Sequence, residues 1–247
     1  MEDANLIIDT VLLAGKIMIE NGADMARVDD TLQRIARNAG IQSPRIFETT
    51  TGIMMSIQGD ENSQVESIDK RRIDLERISR VNDASRAFQA KKLTLQQMYD
   101  RLVILDKSTP DFRPVLKVIA AALIGGTLEV VYGGRWSDML LTMGIAALGY
   151  TSYVILNRFF RTEFASEFIA AMVIGICGIS AVKAHWGMNM GMIITGGIMP
   201  LVPGVLLTNA VRDLLAGHIL SGASRMIEGL ITACALGMGI ALVLRFS

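Results

Sequence analysis

Five long apolar segments lie between Val115 and Leu244, and they constrain everything else in the chain. The hydrocarbon of a bilayer is ~30 Å thick, a distance that ~20 helical residues cross. No water is present there to satisfy the backbone, so a spanning segment has to be a helix or part of a closed barrel. The segments run over about 115–132, 136–156, 164–182, 188–210 and 223–244. The stretch from Met188 to Ala216 is too long for one straight span, and Pro200, Pro203 and Gly204 interrupt it. A proline lacks the N–H donor and clashes with the preceding turn, so no continuous helix is expected through 200–204. In hydrocarbon the freed backbone groups need partners, so such a break persists where protein buries it or where it lines a cavity. Broken helices near the bilayer midplane are a common way to build a transporter's substrate site. The break reads either as such a site or as a proline kink in a packed span.

Charge divides the chain. Residues 1–117 hold 17 of the 24 Lys and Arg and 18 of the 24 Asp and Glu, leaving 7 and 6 for residues 118–247. With 51% hydrophobic residues and a mean hydropathy of +0.41, the whole is too apolar for an ordinary soluble domain. The expected architecture is a small cytosolic α+β domain over 1–114 and a membrane α-helical bundle of about five transmembrane helices over 115–247. Both halves are near neutral, which gives no support to a nucleic-acid partner. Met1-Glu2-Asp3-Ala4-Asn5 lacks the basic start and cleavage site of a signal peptide, so the first domain is expected in the cytoplasm. Cys177 and Cys234 fall in apolar spans and read as packing residues. Two His and no clustered ligand spacing give no metal site, and no cofactor is expected.

The soluble half begins with an amphipathic pattern over 4–21, carried by Leu6, Ile7, Val11, Leu12, Leu13, Ile17 and Ile19 and stopped by Asn21-Gly22. Asp24 is placed to cap a second helix bearing Val28, Leu32, Ile35 and Ala36, and Asn38-Ala39-Gly40 ends it. The short turn makes the two an antiparallel pair. Thr49 to Ile57 is rich in β-branched residues. With a turn at Gly59-Asp60-Glu61-Asn62 and a second strand through Val65, Ile68 and Ile73, it reads as a hairpin. Lys70-Arg71-Arg72 reads as a solvated strand end. Helices follow over about 75–90 and 94–105, the second capped by Thr94. Asp106 to Pro114 reads as the linker. No catalytic residues, phosphate loop or acidic pair emerges, and the chain is not expected to be an enzyme.

In the membrane half, Gly229, Ala233, Gly237 and Ala241 recur every four residues, as do Ala121 and Gly125, a spacing that lets helix backbones approach. Ionisable residues are costly in hydrocarbon and therefore informative. Glu129 continues the Ala121–Gly125 face into the bundle. It reads as a proton-coupling carboxylate, as polar packing at the outer interface, or as a partner of Arg135. Asp138, Glu163 and Glu167 lie near span ends, where headgroups and water reach. Arg225 and Glu228 share a helical face, as a salt bridge or in transport. Asn209, Arg212 and Asp213 follow the break within three turns, and a half-helix beginning after Gly204 aims N–H groups at a substrate carboxylate. Arg212 reads equally as a bidentate carboxylate ligand or as a cytoplasmic anchor. With the first domain inside, Arg158, Arg161, Arg212 and Arg225 face the cytoplasm and Arg135, Lys183 and Arg245 do not, a small positive-inside bias. Trp136 and Trp186 then mark the outer interface, and Phe159 and Phe160 the inner one.

Pro200-Leu201-Val202-Pro203-Gly204 with Thr208-Asn209, Arg212-Asp213, Gly217, Gly222, Arg225 and Glu228 resembles the threonine/serine exporter family. Asn21-Gly22-Ala23-Asp24 with Arg27-Val28-Asp29, and Gly133-Gly134 with Asp138, extend the resemblance over essentially the whole chain. Asp29 stands where the family pattern suggests Glu, and Glu129 matches no family feature. The resemblance implies a secondary exporter of the bacterial inner membrane, driven by an ion gradient. Its cargo would be a small carboxylate-bearing metabolite: threonine or serine, or a dicarboxylate such as succinate. It also implies that the chain is the first unit of a two-component type, needing a second small membrane subunit or copies of itself among the membrane lipid. The substrate is expected at Pro200, Pro203, Gly204, Asn209, Arg212 and Asp213, with Glu129, Asp138, Arg225 and Glu228 as coupling groups or ion pairs. A different class of reading is a regulatory or sensor subunit that does not itself transport.

Overall fold

The computed structural model describes residues 2–57, 63–69, 72–107, 112–160 and 164–246. The expected turn at Gly59–Asn62, Lys70 and Arg71, part of the Asp106–Pro114 linker, Arg161 and Glu163 lie outside them. The chain forms two compact units: residues 1–110 with 205–226, and residues 111–204 with 227–247. The last helix, Ile219–Arg245, therefore supplies its first turns to one unit and its remainder to the other.

The first unit is built on α1 (Glu2–Glu20). Ile8, Val11, Ala14, Ile17 and Met18 are fully buried, and Ile7, Leu12 and Ile19 nearly so. α1 is thus less one-sided than its spacing suggests, because α2 (Met25–Asn38), α3 (Leu75–Gln89), α4 (Leu95–Lys107) and the sheet all pack on it. The sheet is antiparallel in the order β1 (Pro44–Glu48), β2 (Gly52–Ile57), β3 (Ser63–Ser67), with Ile46 opposite Met55 and Met54 opposite Val65. Ile53 and Met55 point into the core and Met54 points out, the period of a sheet covered on one face.

Three features differ from the expected hairpin. β1 has a proline at its first residue and an exposed Phe47, so its sequence lacks the polar–apolar alternation that marks a strand, although its exposure alternates. Thr49 to Thr51 make the β1–β2 turn instead of a strand: the Thr49 hydroxyl accepts from the N–H groups of Thr51 and Gly52. β3 ends at Ser67, short of the exposed Ile73. The expected helices form, with Asp24 accepting from Arg27 N at 3.1 Å and Thr94 from Gln97 N at 3.2 Å as caps.

In the second unit, α5 (Pro114–Val131), α6 (Met139–Phe160), α7 (Ala165–Lys183) and the later part of α10 (Ile219–Arg245) are each drawn from helices long and apolar enough to cross a membrane. The pair α8 (Met190–Ile198) and α9 (Gly204–Leu215) adds a fifth span if counted as one broken helix. α6 lies against α5 and α7, and α8 packs on α5, α6 and α7.

Backbone closeness rests on glycine. A Cβ at Gly125 would fall 2.5 Å from Ala146 Cβ and 3.0 Å from Gly196 O. One at Gly149 would fall 2.3 Å from Ile174 Cγ1. The expected Ala121–Gly125 face is buried, but of the stripe on α10 only Gly229 is: Ala233, Gly237 and Ala241 are exposed. Thr232, Ala235, Leu236 and Gly239 form the packed face in its place, because Gly239 meets Phe168 O and Ala171 of α7. Both cysteines are free, Cys177 half-buried and Cys234 exposed.

Candidate functional site

In the second unit the break follows from its prolines. α8 ends at Ile198, Met199–Leu201 makes one 3₁₀ turn, and Val202 is extended before Pro203. Pro200 has no N–H for the Gly196 carbonyl, so Met199 N serves it, and Val202 N donates to Met199 O at 3.3 Å. The 3₁₀ turn packs on α5 and α6, with Leu201 buried and Val202 exposed. From Met190 to Leu201, about 12 residues reach only ~18 Å, well short of the hydrocarbon thickness.

One turn before the break, α8 rests on Glu129 of α5. Glu129 is fully buried. A Cβ at Gly196 would lie 2.7 Å from Glu129 Cβ and 2.7 Å from the Thr142 methyl group. The Gly133-Gly134 turn closes the other side. Gly133 has φ +96°, and a Cβ on Gly134 would fall 1.9 Å from Glu129 Oε1, so the carboxyl occupies space that only glycine leaves open. Arg135 meets Glu129 through its backbone, its N–H donating to Oε1 at 3.1 Å. Oε2 has no hydrogen-bond partner among the described residues. Asp138 has the opposite situation. Its carboxylate accepts from Met188 N at 2.9 Å, Asn189 N at 3.1 Å and Ser137 Oγ at 3.0 Å, tying the start of α6 to the start of α8. Burial opposes its charge, but those bonds and nearby Arg135 outweigh it and hold the carboxyl below the usual range.

In the first unit, the polar residues after the break join the turn between α1 and α2. Gly22 (φ +86°) and Ala23 close that turn onto Ile19 O and Met18 O, the pattern of a helix ended by a left-handed glycine. Their remaining carbonyls face α9 and α10. Asn209 Nδ2 donates to Gly22 O at 2.9 Å, and Arg225 Nη2 to Ala23 O at 2.7 Å. Asp213, fully buried, accepts from Met25 N and from Arg225 Nη1, each at 2.7 Å. Arg212 Nη1 reaches Asp24 at 3.2 Å and remains half-exposed. A second left-handed glycine, Gly217 (φ +88°), reverses the chain so that Asp213 and Arg225 meet. Gly222 lets α10 touch α9, since a Cβ there would be 2.9 Å from Ala210 O.

The predicted residues are therefore sorted into two groups. Pro200 and Pro203 shape the break beside Glu129, and Gly204 follows it as the first residue of α9. Asn209, Arg212, Asp213 and Arg225 form a latch on the Gly22–Met25 stretch, in which Asp213 has both oxygens engaged internally. Glu228 lies one turn further along α10, in the second unit.

Residues 9–247 match the model of the ThrE family, described as "Putative threonine/serine exporter". The chain belongs to the ThrE family. It is also similar to an uncharacterized protein of Schizosaccharomyces pombe, at 26% identity over 68% of this chain and 21% of that protein. A pheromone-regulated membrane protein of Pichia sorbitophila is 20% identical over 94% of this chain and 24% of its own length. The chain thus spans between a fifth and a quarter of the curated relatives it matches. No solved structure matches it.

Two features of this ThrE-family chain are not legible in its sequence. Glu48 and His218 approach to 3.9 Å in the first unit, and burial, with the negative charge of Asp29 adding to it, pushes the Glu48 carboxyl up to about 7. The strand that carries Glu48 is itself unmarked in sequence. The second is the seating of Glu129 by Gly134. The glycine pair is visible in the sequence, but nothing in the spacing says that a carboxylate five residues earlier folds back over it.

Proposed function

We propose that this chain is an exporter, or the transporting subunit of one, for small carboxylate-bearing metabolites: threonine or serine, or a dicarboxylate such as succinate. The observation that carries this reading is the break at Met199–Pro203. It interrupts an apolar helix where α5 and α6 pack around it, a setting in which irregular backbone at membrane depth serves a binding site. The substrate carboxylate is drawn to the first turn of α9 beyond Gly204, whose own N–H is taken by Val202 O, because the opening N–H groups of a helix lack intrahelical acceptors and favour an anion. We assign Arg212 a recruiting contact, because half its side chain is accessible. Asn209, Asp213 and Arg225 hold the fold that presents it. We place the first unit in the cytoplasm of a bacterial cell and the helices in its inner membrane. In line with the two-component form that the family resemblance implies, we further propose that a second small membrane subunit, or further copies of the chain, completes the exporter.

Reconstitution tests this. Liposomes carrying the purified chain, alone or with a small membrane partner, are loaded with radiolabelled threonine, serine or succinate. Efflux above protein-free liposomes is expected, with Pro203→Ala slowing it and Arg212→Ala raising the substrate concentration needed. Wild-type efflux in both variants overturns the site. The latch favours one other reading, a regulatory subunit, because it ties the first unit's α1–α2 turn to the segment directly after the break. That reading expects no transport by this chain and a changed rate in a partner.

A further inference from the structure

We propose that Glu129 is a proton-exchanging site whose protonation state governs the packing of α8 against α5; its role in driving transport rests on the exporter reading above. Glu129 is fully buried, its Cβ under the Gly196 backbone of α8 and its carboxyl against the Gly133-Gly134 turn. Oε1 is held by Arg135 N, while Oε2 has no partner among the described residues. A carboxylate with an unsatisfied oxygen in so closed a space is far more costly than a neutral carboxyl. The closed arrangement therefore belongs with the protonated group. When Oε2 loses its proton to water the charge must be hydrated, and loosening of α8 from α5 at the Gly125–Gly196 contact, where the Glu129 Cβ is packed, makes room for that water. Rebinding a proton at Oε2 lets the helices close. No other bond is made or broken.

The surroundings leave this role to Glu129. α8 (Met190–Ile198) and the Met199–Leu201 turn, both packed on α5, contain no titratable side chain. Asp138, the neighbouring carboxylate at the start of α6, is committed to Met188 N, Asn189 N and Ser137 Oγ. Arg135 gives Glu129 its backbone N–H. The moving contact lies one turn before the break, so opening there displaces the proposed substrate position. A stationary structural carboxylate would be expected to have both oxygens bonded, as Asp213 does.

The test uses the full chain in lipid vesicles, with Cys177 and Cys234 replaced by Ser and Thr142→Cys added at the Gly196 backbone that Glu129 also packs under. Labelling of this cysteine by a small charged thiosulfonate is followed as pH rises. With Glu129 present, labelling should accelerate beyond the rise shown by an exposed cysteine on the same protein. With Glu129→Gln it should follow that reference alone, and Glu129→Asp should restore the extra response. Equal pH profiles for the Glu129 protein and its Glu129→Gln variant overturn the proposal. A second arm measures radiolabelled threonine or succinate flux with and without a pH gradient. Loss of the gradient response in Glu129→Gln supports coupling, and an intact response refutes it. If no protein transports, the exporter reading fails while the labelling arm still decides the proton site.

Discussion

Replacing Asp213 by Ala is the sharpest test of the latch. Asp213 is fully buried, and Arg225, with a side chain 6% exposed, is its cationic partner at 2.7 Å. Removing the carboxylate takes from a buried guanidinium its acidic partner at 2.7 Å, and it deprives Met25 N of an acceptor. Breaking one side of a buried pair costs roughly 3–5 kcal/mol. At ~2–4 °C per kcal/mol for a protein of this size, the apparent Tm should fall by roughly 10 °C. The measurement is the fraction surviving as a monodisperse peak after heating in mild detergent. The double variant Asp213→Ala/Arg225→Met removes both partners of the ion pair, so its loss should be smaller than the sum of the single losses by about 1–3 kcal/mol. A shift of under about 2 °C for Asp213→Ala, or strict additivity in the double variant, would show that the pair does not hold α9 and α10 to the Gly22–Met25 turn.

Asp24→Asn keeps an acceptor for Arg27 N but discharges the partner of Arg212, whereas Asp24→Ala removes both; the Ala variant should lose about 1 kcal/mol more, seen as a lower apparent Tm. Glu48 has a folded value of about 7 against 4.5 when free. The folded state therefore holds a proton that the unfolded state releases over that window, and stability present below pH 4.5 is lost as pH rises toward 7. Allowing for partial water access, the loss is about 2 kcal/mol, and Glu48→Gln should flatten that part of the stability–pH curve; an unchanged slope in the variant refutes the assignment. Gly125→Val sets a side chain against Ala146 and the Gly196 carbonyl, so it should cost about 1–3 kcal/mol through overpacking and block flux, read by thermal survival and liposome efflux.

Most of the architecture is written in local patterns. Long apolar runs predict α5, α6, α7 and α10, and paired prolines predict the interruption, because both are properties of a short stretch of chain. β1 escapes such reading because a strand whose Phe47 faces outward has no polar–apolar alternation to show, and its pairing with β2 is decided by contacts across the sheet. The α10 stripe illustrates the same limit. Gly229, Ala233, Gly237 and Ala241 have the right spacing for close packing, yet Gly239, two positions away, meets α7. Spacing identifies a face that is able to pack closely; the neighbouring helix decides which face does.

The same distinction applies to the polar residues. Asn209, Arg212 and Asp213 stand out because polar and charged groups following an apolar run demand a partner, and that demand is real: each has one. What the spacing could not supply is the partner's identity, since Gly22, Asp24 and Met25 lie 187 or 188 residues earlier. Glu129 shows the converse. It carries an equal demand, which one oxygen meets locally through Arg135 N and the other meets nowhere among the described residues. Buried groups with all their bonds made explain how a fold holds together. A buried group with one bond missing, placed where a glycine-rich helix leans against its neighbour, is where a change of charge has the most leverage on packing.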